Sequence, residues 1–146
     1  GSGGVSFSWD GDALTQADTG VGSSLFTVHG NGSRYAAVGG LASGFIVEND
    51  GSGWQPAAGA SPMYGLTGVV LDGADGGYAV GQYGSIYARS AEGWAEVDNG
   101  RAIQRDLHGV WMDPSGGVWA VGGQTASFPL TDGLLVHLGD TPPPGL

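Results

Sequence analysis

Gly77-Tyr78-Ala79-Val80-Gly81 is written three times in this chain, its other versions being Tyr35-Ala36-Ala37-Val38-Gly39 and Val118-Trp119-Ala120-Val121-Gly122. The central valines stand 42 and 41 residues apart, and a period of about 40 to 45 residues is the length of one four-stranded propeller blade. Each copy alternates Ala with Val. A two-residue period sends Ala37, Ala79 and Ala120 to one face of a strand and Val38, Val80 and Val121 to the other.

Outward from this motif the repeat extends in both directions. Leu25, Leu66 and Leu107 each stand 41 residues apart and head a strand A. Turns at Gly30-Asn31-Gly32, Asp72-Gly73-Ala74-Asp75-Gly76 and Asp113-Pro114-Ser115-Gly116-Gly117 lead into the motif, which is strand B. Strand C follows as Gly44 to Glu48, Ser85 to Arg89 and Gly133 to Leu138. Trp54 and Trp94, 40 residues apart, head strand D of the first two repeats. The chain is therefore expected to be all-β, with repeats near 25–65, 66–106 and 107–140. One such sheet cannot bury both its faces, so the sheets must stack side by side. The two tryptophans read as packing between blades, each able to cover about 150 to 250 Å².

Composition agrees with a folded domain. Glycine accounts for 31 of 146 residues, yet 40% of the chain is hydrophobic and the aromatics recur at intervals, so the glycines mark turns and close strand contacts. Fourteen Asp plus Glu against four Arg give a net charge of −10. Such a surface repels phosphate backbones and anionic membranes, which argues against nucleic acid as a partner. There is no cysteine, so disulfides and thiolate chemistry are excluded. No apolar run reaches the roughly 18 residues of a membrane helix, and membrane insertion is not expected. The absence of lysine and the high acidity lean toward an extracytoplasmic, periplasmic or secreted, bacterial protein. Residues 1–4 read as a tag or linker and 141–146, Thr141-Pro142-Pro143-Pro144-Gly145-Leu146, as a stiff tail.

The pattern of Leu-x-Gly-Val in strand A, Tyr/Trp-Ala-Val-Gly in strand B and Gly-Trp before strand D resembles the repeats of bacterial BNR-type β-propellers, including the photosystem II assembly and stability factors. The likeness spans about residues 5 to 138. It implies a propeller, and for function a scaffolding or assembly role. The Asp box of the sialidase branch is only approached, by Val47-Glu48-Asn49-Asp50-Gly51-Ser52-Gly53-Trp54, which keeps Gly51 and Trp54 but not the Ser and Asp. Arg34, Arg89, Arg101 and Arg105 are scattered over different strands and loops, where sialidase chemistry needs arginines gathered around a carboxylate.

The ends of the repeat raise a further expectation. Val5-Ser6-Phe7-Ser8-Trp9 and Ala13 to Gln16 read as strands without a blade, while the third repeat stops after strand C. Three blades do not close a ring, since propellers have about four to eight. Residues 5–24 are thus expected to complete a neighbouring blade. Either two copies pair head to tail into a six-bladed ring, or the remaining blades lie on another polypeptide.

Chemistry-bearing residues are few. His29, His108 and His137 lie in different repeats without metal-ligand spacing, and the Asp-Gly turns need no cation to form, so neither cofactor nor metal is expected. The chain is read as non-enzymatic. The D-to-A and B-to-C connections share one face and carry Met63, Tyr64, Arg101, Arg105, Gln124 and Phe128, the last two in the long loop 123–132 with Leu130. Loops on a fixed scaffold are where recognition commonly sits. The expected function is an interaction module binding a protein or a glycan through these rim loops; the alternative is a lectin-like or glycoside-hydrolase-like propeller.

Overall fold

A computed structural model describes residues 1–59, 63–73, 75–98, 100–124, 128–129 and 131–139. Leu130 and the tail 141–146 lie outside them. Among the described residues the strands form four antiparallel sheets. The first holds β1 (Val5–Trp9) and β2 (Leu14–Asp18). The second runs β3 (Leu25–Gly30), β4 (Tyr35–Gly39), β5 (Phe45–Asn49), β6 (Trp54–Pro56). The third repeats that order as β7 (Leu66–Leu71), β8 (Gly77–Gly81), β9 (Ile86–Ser90), β10 (Gly93–Glu96). The fourth has three strands, β11 (Asp106–Met112), β12 (Val118–Gly123) and β13 (Gly133–Leu138). The all-β expectation and the A-B-C-D meander of the first two repeats therefore hold.

Local chemistry sets these elements. At each turn between the first two strands of a repeat, a short polar side chain at 31, 72 or 113 binds the backbone ahead of it. Asn31 Oδ1 accepts the amides of Ser33 and Arg34 at 3.1 and 3.0 Å. Asp72 Oδ1 accepts Gly76 N at 3.0 Å, and Asp113 Oδ1 accepts Ser115 N and Gly117 N at 2.8 and 2.9 Å. The register also slips at the same place in all three repeats, between Leu25 and Thr27, Leu66 and Gly68, and Leu107 and Gly109. Such a bulge increases local twist.

The motif that sets the repeat also sets the packing between sheets. Ala36, Val38 and Ile46 of one sheet form a buried cluster with Val69, Leu71, Ala79 and Tyr87 of the next. Val80 and Ile86 in turn cluster with Leu107 and Ala120. The valine face of one sheet thus meets the alanine face of its successor, where a small side chain admits close approach. Val121 is the exception, being half exposed on the outer face of the last sheet.

Polar contacts cross the same seams. Thr27 Oγ1 donates to Thr67 O at 2.5 Å and Thr67 Oγ1 to Leu107 O. Glu48 of β5 accepts Arg89 Nε at 2.6 Å and the Trp94 indole N–H at 2.9 Å, both from the next sheet, and Arg34 Nη1 at 3.3 Å. Arg89, with 7% of its side chain exposed, is held there by Glu48. Two arginines that are far apart in sequence therefore meet on one carboxylate. Trp94 packs between sheets as expected; Trp54 is only half-buried and stands outside that cluster.

The N-terminal region behaves differently. Residues 1–4, expected as a linker, include a 3-10 turn over Ser2–Gly4, and Gly1 and Leu25 exchange N–H···O bonds of 3.1 and 2.9 Å. Gly4, Gly44 and Gly84 stand 40 residues apart, each beneath the connection that leaves its own sheet. A Cβ there would lie 1.7 Å from Val21 O, 1.9 Å from Tyr64 O and 2.3 Å from Ile103 Cβ, so only glycine fits. Beyond this the β1–β2 hairpin pairs only with itself, and Phe7, Trp9 and Leu14 are exposed. No helix among the described residues is long and apolar enough to cross a membrane.

Candidate functional site

Three connections converge at one end of the third sheet. They are the segment entering β7, the 3-10 turn Gln82–Gly84 between β8 and β9, and the segment following β10. Between them lies a cleft of about 430 Å³, lined by Tyr64, Tyr83, Ser85, Glu96, Asp98 and Arg101, with Ile86 and Ile103 as its apolar part. This is within the roughly 300–1,000 Å³ typical of small-molecule sites.

Each wall has a local cause. Tyr83 sits at φ 56°, the one non-glycine among the described residues in the left-handed region. The corresponding residue of the N-terminal turn is Gly3, at φ 66°. A side chain in that conformation costs about 1–2 kcal/mol. It is offset by the Tyr83 amide donating to Asp106 Oδ1 at 3.0 Å and by an edge-on contact with Tyr64, ring centroids 5.2 Å apart. Under the cleft, Tyr87 is buried. Burial, then the nearby Glu96 charge, push its phenol above the usual value.

Ser85 forms the floor. It is 6% exposed, and its hydroxyl, shut off from solvent, has no hydrogen-bond partner. A buried hydroxyl left unpaired costs about 1–3 kcal/mol. The residues 40 positions earlier and 80 earlier are Phe45 and Val5. The second repeat therefore has a small polar side chain where its counterparts carry an apolar one.

Of the residues expected at a rim site, the structure brings Tyr64 and Arg101 together here. Met63 lies beneath, in the core, and its carbonyl accepts Gly44 N at 3.0 Å. Arg105, Gln124 and Phe128 are elsewhere. Arg105 pairs with Asp132 at 3.0 Å, Gln124 N donates to Asp132 O at 3.1 Å, and Phe128 is 88% exposed. Sequence reasoning missed Tyr83, Ser85, Glu96 and Asp98. The signal for the last three was available in the repeat itself, since Phe45, Pro56 and Ala58 occupy the corresponding positions of the first repeat.

A second cleft, of about 390 Å³, lies among the turns between the first two strands of the repeats and is lined by His29, Asp72, Trp111 and Asp113. Its polar groups serve the fold. His29 Nδ1 accepts Leu71 N at 3.0 Å. The Asp113 carboxylate accepts the Ser115 hydroxyl at 2.6 Å and the Trp119 indole at 3.1 Å, which holds its pKa down at about 2. Among the described residues no three His, Asp or Glu side chains are grouped to hold a metal ion.

Compared with known proteins, the chain matches no family model, no curated protein and no solved structure.

Proposed function

We propose that the stacked sheets are successive blades of a β-propeller of the BNR type, and that the chain is a non-enzymatic recognition module working through the face where the cleft opens. The observation that carries this reading is the convergence of Tyr64 and Arg101, from two different connections, on one cleft with an unsatisfied floor. Loops held by a rigid sheet stack are suited to selecting a partner, protein or glycan, without performing chemistry on it. Replacing Tyr64 and Arg101 together abolishes capture of ligands from a peptide library and a glycan array. Unchanged capture overturns the reading.

The same proposal includes self-association. In each internal seam a valine face rests on an alanine face, yet Val121 remains exposed with Trp111 and Leu135 on its side of the last sheet. The opposite side of the second sheet exposes Val28 and Tyr35, while Ala37 and Val47 on that side are already buried. A second copy docked head to tail covers both, with its β1–β2 hairpin beside β13, to give six blades. The expected mass in solution is twice 14.6 kDa, falling to one chain for Val121→Glu. A wild-type monomer at micromolar concentration overturns this closure and favours blades supplied by another polypeptide.

A further inference from the structure

We infer that the cleft over Ser85 seats one pyranose unit of a neutral oligosaccharide. This rests on the recognition reading above and names its ligand class.

The chain departs from its own repeat at the positions that make a sugar site. Phe45 gives way to Ser85, Pro56 to Glu96 and Ala58 to Asp98, so an apolar corner becomes a small residue and two carboxylates around an open volume. Tyr83 is kept in a backbone conformation that Gly3 occupies more easily. The corresponding Ser43 of the first repeat is not in that region, and strain present in one repeat alone marks a side chain with a task.

The donor and acceptor inventory selects the ligand. Glu96 and Asp98 only accept, and Arg101 only donates. A ligand meeting all of them must present groups that both donate and accept, as sugar hydroxyls do. The edge-on tyrosine pair offers aromatic surface for the apolar C–H face of such a ring. A peptide bound as an added strand would need free backbone groups. Here the Val97 amide is given to Ile86 O at 2.8 Å, the Ser85 amide to Gln82 O at 3.1 Å, and Ser85 O accepts Gly81 N at 3.0 Å. An anionic ligand meets the two carboxylates and a chain of charge −10, which disfavours it.

The test titrates the full chain with cellotriose, laminaritriose and chitotriose by calorimetry, beside a random hexapeptide library. At least one trisaccharide binds the wild type. Tyr83→Gly weakens it about tenfold while the melting temperature stays within about 3 °C, because glycine is at ease at that φ. Ser85→Phe, which restores the apolar filling of the first repeat, abolishes it. Phe128→Ala, far from the cleft, changes nothing. Absence of trisaccharide binding, or binding indifferent to Tyr83 and Ser85, overturns the inference. Peptide capture that depends on Tyr64 and Arg101 in place of sugar binding overturns it too, while leaving the recognition reading standing. If neither ligand class depends on the cleft, both fall.

Discussion

The β1–β2 hairpin and the β5–β6 pair are the same piece of sequence pattern, 40 residues apart, in two surroundings. In β5–β6, Ile46 and Val47 are buried and Glu48 anchors a neighbouring sheet; in β1–β2 the corresponding Ser6, Phe7 and Ser8 face solvent or nearly so. The difference lies in what stands alongside. β5 is hydrogen-bonded to strands on both edges and has another sheet against its Ile46 face, whereas β1 is hydrogen-bonded to β2 alone. Burial in this molecule is supplied by the neighbour, and a strand's own alternation only makes it eligible.

The strongest way to break the comparison is at the seam itself. Leu66 is fully buried where two sheets meet, and Leu66→Ala is expected to cost about 3 to 4 kcal/mol in urea unfolding. Glu48→Ala, which leaves the Arg89 charge only its longer pairing with exposed Asp75 at 3.7 Å, is expected to cost about 2 kcal/mol, and Glu48→Gln less, because it keeps an acceptor for the indole. A smaller effect is expected of Asp113. Its folded pKa lies below the unfolded value, so its contribution is complete above about pH 4 and disappears as the pH falls to about 2. Asp113→Asn should therefore flatten the acid limb of stability measured between pH 5 and 2. The smallest change belongs to the hairpin, where Trp9→Ser in the monomeric Val121→Glu background should shift stability by less than about 0.5 kcal/mol. A large loss there would mean that the hairpin is packed against its own chain.

Much of the fold was legible in advance because the repeat is spelled in residues whose role is local. The leucines at 25, 66 and 107, the turn residues at 31, 72 and 113 and the Ala-Val alternation each act within a few positions, and the observed strands follow them. The Glu48 cluster was not legible. It joins Arg34, 14 residues away in the same repeat, with Arg89 and Trp94 from the next sheet, and side chains 41 and 46 residues apart carry no mark of meeting. The cleft was half legible. Loop position pointed to Tyr64 and Arg101, but Ser85 reads as an ordinary strand serine until it is set beside Phe45, and its missing partner is a three-dimensional fact.

Gly4, Gly44 and Gly84 each let the outgoing connection lie directly against its own sheet. Between the end of strand D and that contact the chain runs two residues after β2 (19–20), seven after β6 (57–63) and six after β10 (97–102), so its length changes without disturbing the stack. Specificity in such an architecture is portable: the stretch from Val97 to Asp106, grafted after another blade together with a serine in place of the phenylalanine beneath it, should carry its ligand choice along.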